Sequence, residues 1–149
     1  MRYDPLPNRW FKYTIPGHSG FTVDWDGISP PVLRMATLLE YFERLLLQNN
    51  LFKDDIYLVG LWQDVLGGGW RIVSSQPDIT GDPATRIQIL EGMKLYHFTP
   101  LGVPGVNKSP AFRNGPIIVW DAHPGNFVWK DDTLVPIDLI ITEYLQPLE

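Results

Sequence analysis

The sequence predicts a single α+β domain, and three observations support this fold class. The chain has 149 residues, a usual length for one domain and enough to bury a core. Hydrophobic residues make up 44% of it and charged residues 19%, as in globular proteins and unlike disordered chains. Segments with strand-type and helix-type apolar patterns follow one another along the chain.

Composition and charge exclude several classes of function. The formal net charge is −5 and no run of basic residues occurs, so we expect no nucleic-acid partner. The chain has no cysteine, which removes disulfides, thiolate metal sites and cysteine nucleophiles. The start lacks the apolar stretch of a signal peptide, and no apolar run approaches the roughly 20 residues of a spanning helix. We therefore expect a cytoplasmic protein that does not enter a membrane.

The first quarter of the chain predicts two strands. Residues 10–15, "WFKYTI", are rich in aromatic and β-branched side chains and end at Pro16-Gly17. Residues 20–27, "GFTVDWDG", alternate apolar and polar positions and predict a second, short strand. Pro30-Pro31 then marks the approach to a helix.

The clearest helix is predicted from Thr37 to Asn49. Apolar residues recur at helical spacing and form one stripe along it: Leu38, Tyr41, Phe42 and Leu45. Thr37 and Glu40 have the spacing of a capping box, which marks the start. Asn49-Asn50 is a suitable end, because Asn tolerates the left-handed conformation found there.

A β-hairpin is predicted at residues 56–76, with its turn at Gly67-Gly68-Gly69. A glycine-rich loop that binds phosphate normally opens a helix, and here a strand follows. The triplet is therefore interpreted as a plain turn.

A second helix is predicted from Asp82-Pro83, with Asp82 as N-cap and Pro83 at the first helical position, continuing through "ATRIQILEGMKLY". A Pro/Gly loop follows at 99–110. The rest is predicted to be β-rich, with one hairpin around Asn114-Gly115 and another, "FVW" and "LVPID", around the turn "KDD".

A group of polar residues lies between apolar strands at residues 121–138. Asp121 follows the strand "PIIVW", Asn126 follows the turn Pro124-Gly125, and Asp138 ends the run "LVPID". Carboxylate and amide oxygens are hard ligands that suit Mg²⁺, and a further Asp could accept a proton during phosphoryl transfer. The alternative is a set of tight turns, since Asp and Asn are common turn residues.

This arrangement resembles the protein-kinase-like superfamily. The segment "DAHPGN" is similar to the catalytic loop of aminoglycoside phosphotransferases and other small-molecule or atypical bacterial kinases. The whole chain, with "TLLEYFERLLLQNNLF", "SSQP" and "DAHPGN…LVPID", is most similar to the kinase-like domain of bacterial polyvalent proteins of phage and mobile elements. The resemblance implies a truncated or minimal kinase-like fold, with an N-lobe remnant at about 1–76 and a partial C-lobe at 77–149.

The resemblance also implies roles for individual residues. It makes Asp121 the catalytic base and makes Asn126 and Asp138 the magnesium ligands, with ATP and Mg²⁺ as cofactors. In the N-lobe remnant it implies three nucleotide-site residues: Lys12 contacting phosphate, Glu40 as the salt-bridge partner of Lys12, and Gln76 within the adenine-binding hinge "SSQPDITG".

The sequence departs from the superfamily pattern at several points. It contains no candidate for a glycine-rich loop over the phosphates. Trp120 stands where a His normally precedes the catalytic Asp, and Leu139 follows Asp138 where the family has Phe-Gly. The chain also stops soon after Asp138, where a full kinase continues. These departures are compatible with a fragment, a minimal kinase or a relative without activity.

Several of these residues have a simpler structural interpretation. Lys12 is equally a solvated strand residue, and Gln76 is a strand end. Glu40 can instead close the capping box, and Glu43 becomes the competing partner if the helix starts earlier, near Val32. His123 is expected to hold the loop by hydrogen bonds, and most of the six Trp are expected in the core rather than on a ligand platform.

Three functions remain open on sequence grounds. The first is an ATP- and Mg-binding kinase-like domain that transfers phosphate to an unknown acceptor. The second is an inactive, pseudokinase-like module that contacts a protein partner or forms a homo-oligomer. The third, a metallohydrolase that uses Asp121 and His123 as a metal pair, is weaker, because only His18 and His97 remain as other histidines.

Overall fold

The computed structural model describes residues 2–4, 8–64 and 68–146. Contacts divide the chain into two compact units. Unit 1 comprises Met1–Phe21 and Met35–Ile79, and unit 2 comprises Thr22–Arg34 and Thr80–Glu149. Residues 22–34 therefore belong to unit 2 by their contacts, although they come early in the chain.

The described residues form two α-helices and thirteen strands, with short 3-10 turns at Val106–Lys108 and Pro124–Asn126. The strands are β1 (Arg2–Asp4), β2 (Arg9–Tyr13), β3 (Phe21–Asp24), β4 (Val32–Met35), β5 (Tyr57–Asp64), β6 (Gly69–Pro77), β7 (Asp82–Pro83), β8 (Thr99–Pro100), β9 (Phe112–Asn114), β10 (Ile117–Val119), β11 (Phe127–Lys130), β12 (Thr133–Pro136) and β13 (Ile141–Glu143). The helices are α1 (Leu38–Phe52) and α2 (Arg86–Leu95). The predicted α+β class is confirmed.

Unit 1 contains an antiparallel sheet with the strand order β1-β2-β6-β5. Pairing of β5 with β6 confirms the predicted hairpin. Within its turn, Gly67 lies outside the described residues, and Gly69 begins β6 with a positive φ of 84°. The strand that carries Lys12 pairs directly with β6, and Lys12 is opposite Ser74.

Helix α1 begins as predicted and ends later than predicted. Thr37 is its N-cap, and the reciprocal hydrogen bonds of the capping box with Glu40 are both present. The helix continues to Phe52 instead of ending at Asn49-Asn50, because Phe52 is buried and adds one more turn to the apolar face. Lys53 then adopts the left-handed conformation that ends it.

The apolar face of α1 packs within unit 1. Tyr41 and Leu45 form a buried cluster with Ile56, which precedes β5, and with Ile72 of β6. Burial of such side chains is the main favourable term in folding. The cluster fixes the helix against β6 and against the residue that precedes β5.

Unit 2 is built from small antiparallel sheets. One has the order β13-β10-β9-β8, another has the order β12-β11-β7, and β3 pairs with β4. The two hairpins predicted around Asn114-Gly115 and around "KDD" are confirmed. Asp131 and Asp132 form the second turn, both with positive φ, a conformation that Asp tolerates better than most residues.

Trp120 is at the centre of the unit 2 core and is fully buried. It packs in one cluster with Val23 of β3 and Ile118 of β10. The Trp25 ring meets it edge-on, with 5.4 Å between ring centroids. Residues before β4 therefore contribute directly to the core that supports the segment after β10.

The predicted start of the second helix is wrong. Asp82 and Pro83 form β7 and pair with Trp129 and Val128 of β11. The N-cap of α2 is Thr85, which shares a capping box with Gln88. An Asp-Pro pair is compatible with an edge strand as well as with a helix start, and the pairing partner in β11 decides between them.

Sequence periodicity did not predict the shortest strands. β4 follows Pro30-Pro31, where only the approach to a helix was expected, and β8 lies within the segment predicted as a loop. Strands of two to four residues are too short to show a period. In the part of the chain that the structure describes, neither helix has the length and apolarity needed to span a membrane.

Candidate functional site

The polar loop begins directly after the central strand of the larger sheet in unit 2. β10 lies between β9 and β13, and Trp120 follows it with its side chain fully buried. The Trp120 N–H donates to the Ile140 carbonyl at 3.0 Å. Asp121 therefore leaves the sheet from a fixed position, next to the segment that precedes β13.

The carboxylate of Asp121 accepts two hydrogen bonds from different parts of the chain. Its Oδ1 accepts from the Ile140 N–H at 2.8 Å, and its Oδ2 accepts from Nδ2 of Asn126 at 2.9 Å. Hydrogen bonds to an ionised group are stronger than those between neutral groups. They hold the half-buried carboxylate in one orientation and tie its loop to residue 140.

His123 stabilises the turn that leads to Asn126. Its Nδ1 accepts from the Gly125 N–H at 3.1 Å, and its Nε2 lies 3.1 Å from Nδ2 of Asn126. Residues Pro124–Asn126 form a 3-10 turn, and the Asn126 N–H donates to the His123 carbonyl. These contacts agree with a structural role for His123.

The side chain of Asn126 has a defined orientation. Its Nδ2 donates to the Asp121 carbonyl at 2.8 Å as well as to the Asp121 carboxylate. The amide oxygen therefore points to the opposite side of the group, and no described residue donates a hydrogen bond to it. A positioned amide oxygen of this kind is a suitable ligand for a hard cation.

Asp138 lies in a segment that is attached to the same loop on both sides of it. The Ile137 N–H donates to the Asn126 carbonyl at 2.8 Å, and the Ile140 N–H donates to Asp121. Leu139 is fully buried, whereas Asp138 is exposed. The structure thus brings Asp121, Asn126 and Asp138 into one neighbourhood of unit 2.

The side chains of this neighbourhood supply too few oxygen donors to hold a metal ion by protein alone. Among the described residues, no group of three or more His, Asp or Glu side chains is arranged to hold a metal ion. Asn126 and Asp138 offer one amide and one carboxylate oxygen. Mg²⁺ commonly binds one or two protein oxygens and completes its shell with water and phosphate.

The Asp-x-His metal pair receives no support from the same contacts. The Asp121 carboxylate binds Ile140 and Asn126, the acceptor nitrogen Nδ1 of His123 is taken by the Gly125 N–H, and its Nε2 lies 3.1 Å from Nδ2 of Asn126. A metal ligand must present a free lone pair of its nitrogen to the ion.

The three residues predicted to contact a nucleotide lie in unit 1. Lys12 is half-buried on β2. Glu40 uses its Oε1 to accept from the Thr37 N–H at 3.0 Å, so the capping role is present. Gln76 is buried, and its Nε2 donates to Asp54 at 3.1 Å.

Gln76 belongs to a polar cluster that the sequence analysis missed. Asp54 Oδ2 also accepts from Nε2 of Gln48, a side chain only 1% exposed on α1. Burying two amides is tolerable because each finds this charged acceptor. In the sequence, this cluster was indicated only by the position of Gln48, which lies three residues after Leu45 on the apolar stripe of α1.

Comparisons with known proteins give no match: no protein-family model, no curated protein and no solved structure matches the chain.

Proposed function

We propose that this chain is a kinase-like domain that binds ATP with magnesium and transfers a phosphoryl group to a hydroxyl acceptor in the cytoplasm. Asn126 and Asp138 would hold the metal, and Asp121 would receive the proton of the acceptor. One observation carries the proposal: hydrogen bonds from Asn126 and Ile140 converge on the carboxylate of Asp121, and the exposed Asp138 lies between Ile137 and Ile140, whose N–H groups both bond to the same loop.

The proposed chemistry follows from the hydrogen-bonding capacity of each group. A carboxylate has about four acceptor positions, so Asp121 could accept from the hydroxyl of an acceptor as well as from Asn126 and Ile140. Bound magnesium would neutralise charge on the phosphates as the bond to the leaving group breaks. The remaining task of these residues is to hold the reacting oxygen and its proton acceptor in position.

In unit 1 the proposal assigns the nucleotide to Lys12, Glu40 and Gln76. The strand of Lys12 pairs with β6, which leads directly into the proposed hinge, and this pairing supports the assignment. Since the Gln76 side chain is engaged with Asp54, we assign adenine recognition to the main chain of the hinge. Glu40 closes the capping box through its Oε1, and the proposal assigns it the contact with Lys12 in addition.

The test is calorimetry of ATP binding with and without magnesium, on the wild type, Asp138→Asn and Asp132→Asn. Asp132 is an exposed Asp in the turn of the neighbouring hairpin, so its substitution makes the same change of charge. We expect magnesium to strengthen ATP binding in the wild type and in Asp132→Asn, and to have no such effect in Asp138→Asn. Absence of ATP binding by the folded wild type, or an unchanged magnesium effect in Asp138→Asn, would contradict the proposal.

The second candidate is an inactive, pseudokinase-like interaction module. The fully buried Leu139 favours it, because the residue after Asp138 serves the core instead of an Asp-Phe-Gly motif. ADP release in the presence of magnesium separates the two functions. Turnover that is lost in Asp121→Asn supports the kinase, and ATP binding without turnover supports the module.

A further inference from the structure

The outer edge of the sheet in unit 1 is a long strand that pairs on one side only. β5 is the last strand in the order β1-β2-β6-β5, and its eight residues pair with β6. No described strand pairs with its other side. The main-chain N–H and C=O groups on that side are thus open to another strand. We call residues 57–63 the β5 edge.

The β5 edge is apolar and exposed on both faces. Five of its side chains are half or more exposed: Tyr57 (55%), Leu58 (50%), Val59 (54%), Leu61 (58%) and Trp62 (57%). Trp70, opposite Gln63 on β6, is 57% exposed. A monomeric protein rarely leaves so many large apolar side chains together in water.

The β5 edge has few of the features that block pairing at sheet edges. The sequence "YLVGLWQ" contains no charged residue and no proline. Edge strands are usually protected by inward or central charges, by proline or by a bulge. Only a bulge is present, between Leu58 and Gly60, and it leaves the part of the edge from Gly60 onwards regular.

We propose that two copies of this chain form a symmetric dimer through antiparallel pairing of their β5 edges. A two-fold axis places a strand against its own copy in the antiparallel direction, so one edge supplies both halves of the interface. The two four-stranded sheets become one eight-stranded sheet. The charged residue of β5, Asp64, lies at the end of the strand, so antiparallel pairing centred on residues 57–63 places no like charges opposite each other despite the net charge of −5.

The exposed area is sufficient for a reversible dimer. Half-exposed large side chains present on the order of 100 Å² each, so the five side chains and Trp70 supply about 600 Å² per protomer. Edge pairing covers only the part of this area that faces the partner strand, since both faces of the joined sheet stay in water, so two protomers bury less than about 1,200 Å², as weak and reversible interfaces do. We therefore expect a dimer that dissociates on dilution in the micromolar range.

The experiment is sedimentation velocity over a wide range of protein concentration, on the wild type, Leu61→Lys and Leu46→Lys. Leu46 is a matched control, because it is 61% exposed on α1 of the same unit. We expect the wild type and Leu46→Lys to dimerise as concentration rises, and Leu61→Lys to stay monomeric. In the wild type, hydrogen exchange should show that protection of the amides of residues 57–63 increases with protein concentration. In Leu61→Lys, the protection of these amides should not depend on concentration.

Circular dichroism checks that Leu61→Lys folds. If Leu61→Lys does not fold, Gln63→Lys takes its place as the edge variant, since Gln63 is already polar and exposed. A wild type that stays monomeric at all concentrations overturns the proposal. Dimerisation that survives in the edge variant, or that gives no protection of residues 57–63, overturns it as well.

Discussion

Gly105 provides a sharp test of the packing behind the proposed catalytic loop. Its backbone is ordinary, with φ −82°, so the position does not need glycine for its conformation. It needs glycine for space: an added Cβ would overlap the carbonyl oxygen of Trp120 and lie 2.9 Å from its carbonyl carbon. The same oxygen accepts the Val106 N–H at 2.9 Å. Gly105→Ala must therefore move main chain next to Asp121.

The expected cost can be worked out from these contacts. Overpacking costs about 1–3 kcal/mol, and loss of the Val106–Trp120 hydrogen bond adds about 1 kcal/mol. We expect Gly105→Ala to lower the free energy of unfolding by about 3 kcal/mol. For a chain of this size this corresponds to a fall in Tm of roughly 6–12 °C.

The assay is urea and thermal unfolding followed by tryptophan fluorescence, to which the buried Trp120 contributes. The comparison is Gly102→Ala. Gly102 has a positive φ of 86° and no atom near its added Cβ, so we expect only the left-handed strain of about 1–2 kcal/mol. If Gly105→Ala lowers the free energy of unfolding by no more than Gly102→Ala does, the close approach of Gly105 to Trp120 is not as described.

Two further predictions concern the start of α2 and the acid stability of unit 1. Thr85→Ala should lower the free energy of unfolding by about 1 kcal/mol, because it removes the N-cap hydrogen bond, whereas Asp82→Ala should change it by less than about 0.5 kcal/mol. If urea unfolding shows the same loss of free energy of unfolding for Thr85→Ala and Asp82→Ala, Asp82 shares the capping role. The Tyr57 hydroxyl, followed by Arg9, holds the pKa of the Asp55 carboxyl below its ordinary value. The resulting stability is present above the ordinary pKa of about 3.9 and is lost as the pH falls through the lowered pKa of the folded state. Urea midpoints measured from neutral to acid pH should fall less steeply in Asp55→Asn than in the wild type below about pH 4, and equal slopes would contradict this role of Asp55.

The elements with a strong local pattern were predictable from sequence. The stripe of α1 and its capping box, the hairpin of β5 and β6, and the turn at Asn114-Gly115 depend on neighbours within a few residues. The helix end was not predictable, since burial of Phe52 depends on the folded unit. The same holds for Asp82-Pro83, whose role is decided by a partner strand much later in the chain.

The candidate site was predictable in composition and not in geometry. Asp121 and Asp138 could be singled out because they follow or end an apolar run, and Asn126 because it follows the turn Pro124-Gly125. The hydrogen bond from the Ile140 main chain to Asp121 has no sequence signal, because any residue other than proline supplies an N–H. The acceptor of the Gln76 side chain, Asp54, likewise becomes apparent only in the folded unit.

The assignment of residues 22–34 to unit 2 limits how the protein can be divided and how it can be synthesised. Val23 and Trp25 belong to the same core as Trp120, although most of unit 1 lies between them in sequence. A fragment cut at residue 80 would expose that face of Trp120 and should aggregate. On the ribosome, Trp25 emerges long before its partner, so the second unit cannot complete its core until nearly the whole chain has been made.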